Sequence, residues 1–301
     1  MIRCTLILHL LFSIIALPSA AQSSLASPYN QNRARARSSQ QAEAFIQQGI
    51  DALERNDASG ARSFFERALQ IDPKNVAAHS YLGIQADREG RLEDAERHFA
   101  AAAAHAPQSP SARNNYGAIL LRLNRTERAA SEFEASLKLD PSQASALVNL
   151  GQIRFAGQTE RSLREARGLF ERAQAISPDL SIARALVVID LRLNDVQRAA
   201  ANYRSYKTVL DSSGPVSTAV APASARAELG GALLAAGLRE EAVAELSAAV
   251  QSEPSNVNYI IQLARAYMER KEIASAGRTL ESAVARGIDA APVYAALAEV
   301  Y

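Results

Sequence analysis

From residue 42 onward, apolar side chains recur at intervals of three and four rather than in the alternation of a half-buried strand. Leu82, Ala86, Ala95, Phe99 and Ala102 show the spacing well and fall on the facing stripes of two short helices. Arg88, Glu89, Arg91, Glu93, Asp94, Glu96 and Arg97 occupy the remaining faces and read as solvated helix surface. The pattern predicts a succession of short amphipathic helices and an all-α fold.

The stripes return with a fixed period of 34 residues. Gly49, Gly83, Gly117 and Gly151 keep that interval, as do Ala61, Ala95 and Ala129, with Ala166 three residues late. Phe65, Phe99, Phe133 and Phe170 hold the same phase, and so do Pro73, Pro107, Pro141 and Pro178. The three extra residues of the fourth unit are expected in a surface turn near Gly157–Ser162. A second set repeats the order: Gly230, Ala242, Leu246 and Pro254, then Ala264, Ala276 and Leu280. Between the sets lies a weak unit, 181–210, which keeps Ala199, Ala200 and Tyr203 but has no glycine or closing proline. An inserted loop, 211–222, follows it. The small residues mark places where two helix axes approach, and each Phe fills the space they leave. Burial of one such ring stabilises by about 1.5–3 kcal/mol. Each Pro ends a second helix, since it lacks an amide donor and disfavours helix in the residue before it.

These residues resemble the tetratricopeptide repeat (TPR) family: Leu82-Gly83, Tyr116-Gly117, Leu150-Gly151 and Leu229-Gly230 match the middle of that family's first helix, and the Ala, Phe and Pro follow in its order. The family's unit-start Trp is missing throughout. The resemblance spans residues 42–301, about seven units and a terminal helix. It implies a TPR-type α-solenoid, a right-handed superhelix of helix-turn-helix repeats with a concave groove lined by the first helix of each unit. Such grooves hold an extended peptide or a partner helix.

The start of the chain follows different rules. Residues 1–21 combine Arg3, an apolar run from Leu6 to Leu17 and the small residues Ser19 and Ala21. That is the layout of a signal peptide cleaved after Ala21, with an uncleaved anchor as the rival reading. It implies export to the periplasm or cell envelope. Residues 22–41 are polar, lack an apolar period and read as a flexible linker. Contact with a membrane is expected only through 22–41, where Arg33, Arg35 and Arg37 cluster, or through an uncleaved leader. At the other end, Val293, Tyr294, Leu297, Val300 and Tyr301 form a mainly apolar half-unit. That favours a second arrangement, in which the chain is the N-terminal TPR arm of a longer protein truncated at Tyr301. An outer-membrane barrel of polysaccharide export or a glycan-processing enzyme would then follow.

Composition narrows the function classes. The chain carries 33 Lys and Arg against 32 Asp and Glu, so it lacks the cationic excess that nucleic-acid binding draws on. Its one cysteine, Cys4, lies in the leader, which excludes a disulfide framework and a Cys-based zinc site. There is no phosphate-binding Gly-rich motif and no Gly-x-Ser-x-Gly; Gly230-Gly231 falls inside a helix and serves close packing. His98 and His105 share a helix face but stand two turns apart, too far for a pair of metal ligands. Asn124-Arg-Thr126 fits a glycosylation acceptor only by a short pattern in an inter-helix turn. No catalytic role, metal or cofactor is expected, and the partner is a protein or peptide. Candidate groove residues are Ser80, Arg88, Asn114, Asn115, Arg122, Asn149, Gln152 and Arg265, with Ala118 and Met268 beside them. Asn115 and Asn149, one period apart, are expected to stack as a ladder able to bind a peptide backbone. Arg88 and Arg122, also one period apart, would hold a carboxylate.

Overall fold

The period of 34 residues becomes a helical hairpin. The computed structural model describes residues 28–212 and 222–301, so residues 1–21, expected to form a leader, and most of the expected inserted loop lie outside the described residues. Fifteen α-helices and no strand are present among them. Two compact units divide the chain between Asn75 and Val76.

The first unit holds α1 (Pro28–Glu54) and α2 (Ala58–Ile71), packed as one hairpin. The helix α1 begins within the stretch read as a linker, and residues 28–41 are helical. Their Ala, Arg and Gln residues are good helix formers, so a helix forms without an apolar stripe. Asp57 caps α2 by accepting a hydrogen bond from the Gly60 amide at 2.9 Å. Phe65 is fully buried, and a methyl group on Gly49 would stand 2.3 Å from its ring.

The second unit holds six hairpins and a last helix. Its first helices are α3 (Val76–Arg88), α5 (Pro110–Arg122), α7 (Ala144–Ala156), α9 (Leu180–Arg192), α11 (Ala223–Ala235) and α13 (Val257–Glu269). Their partners are α4 (Leu92–His105), α6 (Thr126–Leu139), α8 (Glu160–Ile176), α10 (Val196–Ser212), α12 (Arg239–Ser252) and α14 (Ile273–Ala285); α15 (Ala291–Val300) follows. Each hairpin turn contains one residue in the left-handed region: Gly90, Asn124, Gln158, Asn194, Gly237 and Lys271. Asn124 is therefore explained as a turn residue, since Asn and Gly adopt that conformation at low cost.

Core packing repeats the pairing of a glycine with an aromatic ring. A Cβ on Gly83, Gly117 or Gly151 would lie 2.9, 2.7 or 2.7 Å from the rings of Phe99, Phe133 or Phe170 respectively. In the weak unit Val187 takes the glycine's place and Tyr203 the ring's, both buried in one cluster. Two further departures from the period localise to the fourth hairpin. The three extra residues do not lengthen its turn. They extend α8 to 17 residues, against 14 in α4 and α6, behind a Thr159–Ser162 capping box. The link from α8 to α9, residues 177–179, is one residue shorter than the links at 106–109 and 140–143. The first helices α3 and α5, α5 and α7, and α9 and α11 approach one another more closely than α7 and α9 do.

Candidate functional site

The first helices of the second unit present one face on which the sequence-predicted residues divide into tied and free groups. Ser80 returns its hydroxyl to the Val76 carbonyl one turn back, at 2.8 Å. Asn114 is buried and joins two neighbours: its Oδ1 accepts from Asn149 Nδ2 at 3.3 Å, and its Nδ2 faces Asn115 Oδ1 at 3.5 Å. The amide ladder thus runs Asn149–Asn114–Asn115, linking α7 to α5, instead of directly from Asn149 to Asn115. Arg122 reaches back to α3, donating to the Asp87 carbonyl at 3.2 Å and pairing with the Asp87 carboxylate. Arg88, Gln152 and Arg265 are exposed, with no bonded partner among the described residues. Ala118 lines a small hollow of about 180 Å³ between α3 and α5 together with Asn115 and Arg122. Met268 is half-buried against the α13–α15 core.

A larger cavity, about 530 Å³, opens between α7 and α9. Ser145, Val148, Gln152 and Phe155 of α7 form one wall, and Ile182, Arg184 and Ala185 of α9 the other; Phe170 and Ala173 of α8 lie behind. Its size suits an organic ligand or a few side chains of a peptide. Gln152 is the one groove residue expected from the sequence that lines it. Arg184 was missed because it belongs to the weak unit, where the absent glycine hid the register. Counting from the helix start would have found it, since Arg184 stands in α9 where Asn114 stands in α5 and Ser80 in α3. The guanidinium of Arg184 makes no ion pair or hydrogen bond among the described residues. Arg192, near the end of α9, instead lies 4.8 Å over the Phe155 ring and donates to Gln158 Oε1 at 2.5 Å.

Two polar clusters are built into the packing. The His79 and His98 rings meet through their Nδ1 atoms at 3.1 Å, one donating and the other accepting, and the His105 ring lies tilted with its centre 5.9 Å from that of His79. Burial, with the neighbouring His79 second, holds the His98 imidazole below its usual value. Among the described residues no group of three or more His, Cys, Asp or Glu is arranged to hold a metal ion. Deeper in the fold, Glu245 of α12 is 1% exposed and accepts a hydrogen bond from the Tyr203 hydroxyl at 2.9 Å. Arg226 of α11 faces its other oxygen at 3.7 Å. Burial raises the Glu245 carboxyl above the ordinary carboxylate range, and burial beside that carboxylate pushes the Tyr206 hydroxyl up to about 12. Neither cluster opens into the α7–α9 cavity.

Hairpins of near-constant length, stacked through a glycine-and-ring core, define an all-α, TPR-type α-solenoid. The chain belongs to the tetratricopeptide repeat family: one tetratricopeptide repeat signature matches residues 46–110, 82–144 and 117–181, and another matches 223–300. No curated protein matched the chain in sequence. Among solved structures it is similar to PilF of Pseudomonas aeruginosa, with a TM-score of 0.58, 21% identity and coverage of 75% of this chain and 96% of that one. It is similar also to PilW, described as a type IV pilus biogenesis factor (TM-score 0.56, 21% identity, 72% and 96% covered). YrrB, described as a TPR protein with an unusual peptide-binding site, aligns with a TM-score of 0.52 at 19% identity, covering 66% of this chain and 96% of its own. At these identities the likeness is one of fold. The fold is that of a scaffold for protein–protein interaction, a class whose members hold protein or peptide partners.

Proposed function

We propose that the chain is a non-catalytic scaffold of the cell envelope that holds an extended segment of a partner protein along the first-helix face of its second unit. The observation that carries this reading is the open cavity between α7 and α9, continuous with exposed Gln152 on the face where Asn115 and Asn149 also lie. Asn115 and Asn149 each keep unused amide capacity after their bonds to Asn114, enough to pair with a peptide backbone. The buried Asn114 and the tied Arg122 fix the spacing of α3, α5 and α7, so the face is set before a partner arrives and little ordering cost falls on binding. The envelope location is supported by the leader-like residues 1–21.

A photocrosslinking amino acid placed at Gln152 in living cells is expected to capture a defined partner, while the same group at Arg97 on α4 captures none. Asn115→Ala with Asn149→Ala should reduce the Gln152 adduct severalfold, and the recovered chain should begin at Gln22. Equal capture from both positions, or an adduct indifferent to the two Asn changes, would show that another surface does the binding. Recovery of the uncleaved chain from the cytosol would remove the envelope assignment.

A further inference from the structure

We propose that the α7–α9 cavity receives an apolar side chain of the partner segment together with an adjacent carboxylate, with Arg184 supplying the countercharge; this rests on the first-helix face being the binding face. The cavity arises from the chain's own irregularity. The link before α9 is one residue shorter than those before α5 and α7, and α7 and α9 approach each other less closely than α5 and α7 do. Val148 and Phe155 remain only half-buried at the opening, and with Ile182 opposite they give it apolar walls. An apolar side chain entering there removes this surface from water.

Charge selects what stands beside that side chain. The lining holds one base and one acid, Arg184 and Asp179. Asp179 is engaged as the cap of α9, its Oδ1 accepting from the Ser181 and Ile182 amides at 2.8 and 3.0 Å. There its negative charge is balanced by the positive end of the helix. Arg184 is half-buried and lacks a carboxylate partner, and its fork of donors matches a carboxylate's two oxygens. A basic residue in the partner at this point would meet an uncompensated like charge. The occupant is therefore a peptide carrying a Leu- or Phe-type residue next to Asp or Glu.

The test uses fluorescence anisotropy of the full chain with labelled twelve-residue peptide pools, randomised except for a central pair: Leu-Glu, Leu-Gln, Leu-Lys or Ser-Glu. The Leu-Glu pool should bind at least tenfold more tightly than the other three. Arg184→Gln should bring Leu-Glu down to the level of Leu-Gln without changing the thermal unfolding midpoint. Equal binding of all four pools, or an acidic preference that survives Arg184→Gln, would overturn the assignment. If that binding still fell with Asn115→Ala and Asn149→Ala, the groove reading would stand without this pocket. Binding by no pool would overturn both.

Discussion

Phe133→Ala is expected to lower the unfolding free energy by about 3–5 kcal/mol, read by urea denaturation followed by far-ultraviolet circular dichroism. The ring is fully buried among Leu120, Ala129, Ala146 and Leu150, residues drawn from α5, α6 and α7, so it joins its own hairpin to the next. Its removal opens a cavity at a junction where three helices meet and little can collapse inward. The reverse change gives a second reading of the same contact. Gly117→Ala would ordinarily gain helix propensity of up to about 1 kcal/mol. Here the added methyl stands 2.7 Å from the Phe133 ring, so a net loss is expected. The seventh hairpin shows the compatible alternative, with Ala264 and Leu280 in one cluster. Gly117→Ala combined with Phe133→Leu should therefore be more stable than Gly117→Ala with Phe133→Ala. A loss below about 1 kcal/mol for Phe133→Ala would mean that the repeat core does not depend on these rings.

The hairpins were legible in the sequence because their determinants act within one period. Gly49 with Phe65, Gly83 with Phe99 and Gly117 with Phe133 are contacts inside a hairpin, so selection for packing leaves them in strict phase. What escaped depends on contacts without a fixed signature. The helix at 28–41 carries no apolar stripe to announce it. The extra residues of the fourth unit extend a helix because Thr159 and Ser162 supply a capping box at its new start. On the first-helix face, residue type alone cannot separate Asn114, which is buried, from Asn115, which is half-buried. That distinction turns on a rotation of one position around the helix. One readable signal was overlooked. Residues 19 apart face each other across a hairpin, and where the family places Trp this chain puts polar pairs: His79 with His98, Arg113 with Glu132, and Arg226 with Glu245. The missing Trp thus marks a changed core chemistry in three hairpins.

The last of those pairs yields the second large effect. Arg226→Met is expected to destabilise the protein by about 3–5 kcal/mol at neutral pH, because it strands the Glu245 carboxylate in the interior. That carboxylate is 1% exposed, accepts from the Tyr203 hydroxyl and has the Tyr206 hydroxyl beside it. Lys207 of α10 supplies a further but weaker favourable charge. The sign of the pH dependence follows from the direction in which burial moves Glu245. Its carboxyl is raised above the ordinary value of 4.5 in the folded chain, so the folded state holds its proton more firmly than the unfolded state. The stability tied to that proton is fully present below pH 4.5 and is lost as pH rises through the raised value. Removing Arg226 takes away a charge that opposes the shift, so the variant's deficit should be smallest in acid and widen toward neutrality. Arg226→Met with Glu245→Leu removes both charges at similar volume and should recover most of the loss, leaving the unmatched Tyr203 hydroxyl as the residual cost. Thermal and urea melts of the single and double variants between pH 4.5 and neutrality decide the matter. A single-variant deficit that stays constant across that range would show that the Arg226–Glu245 pair contributes packing alone and that its charges do not hold α11 to α12.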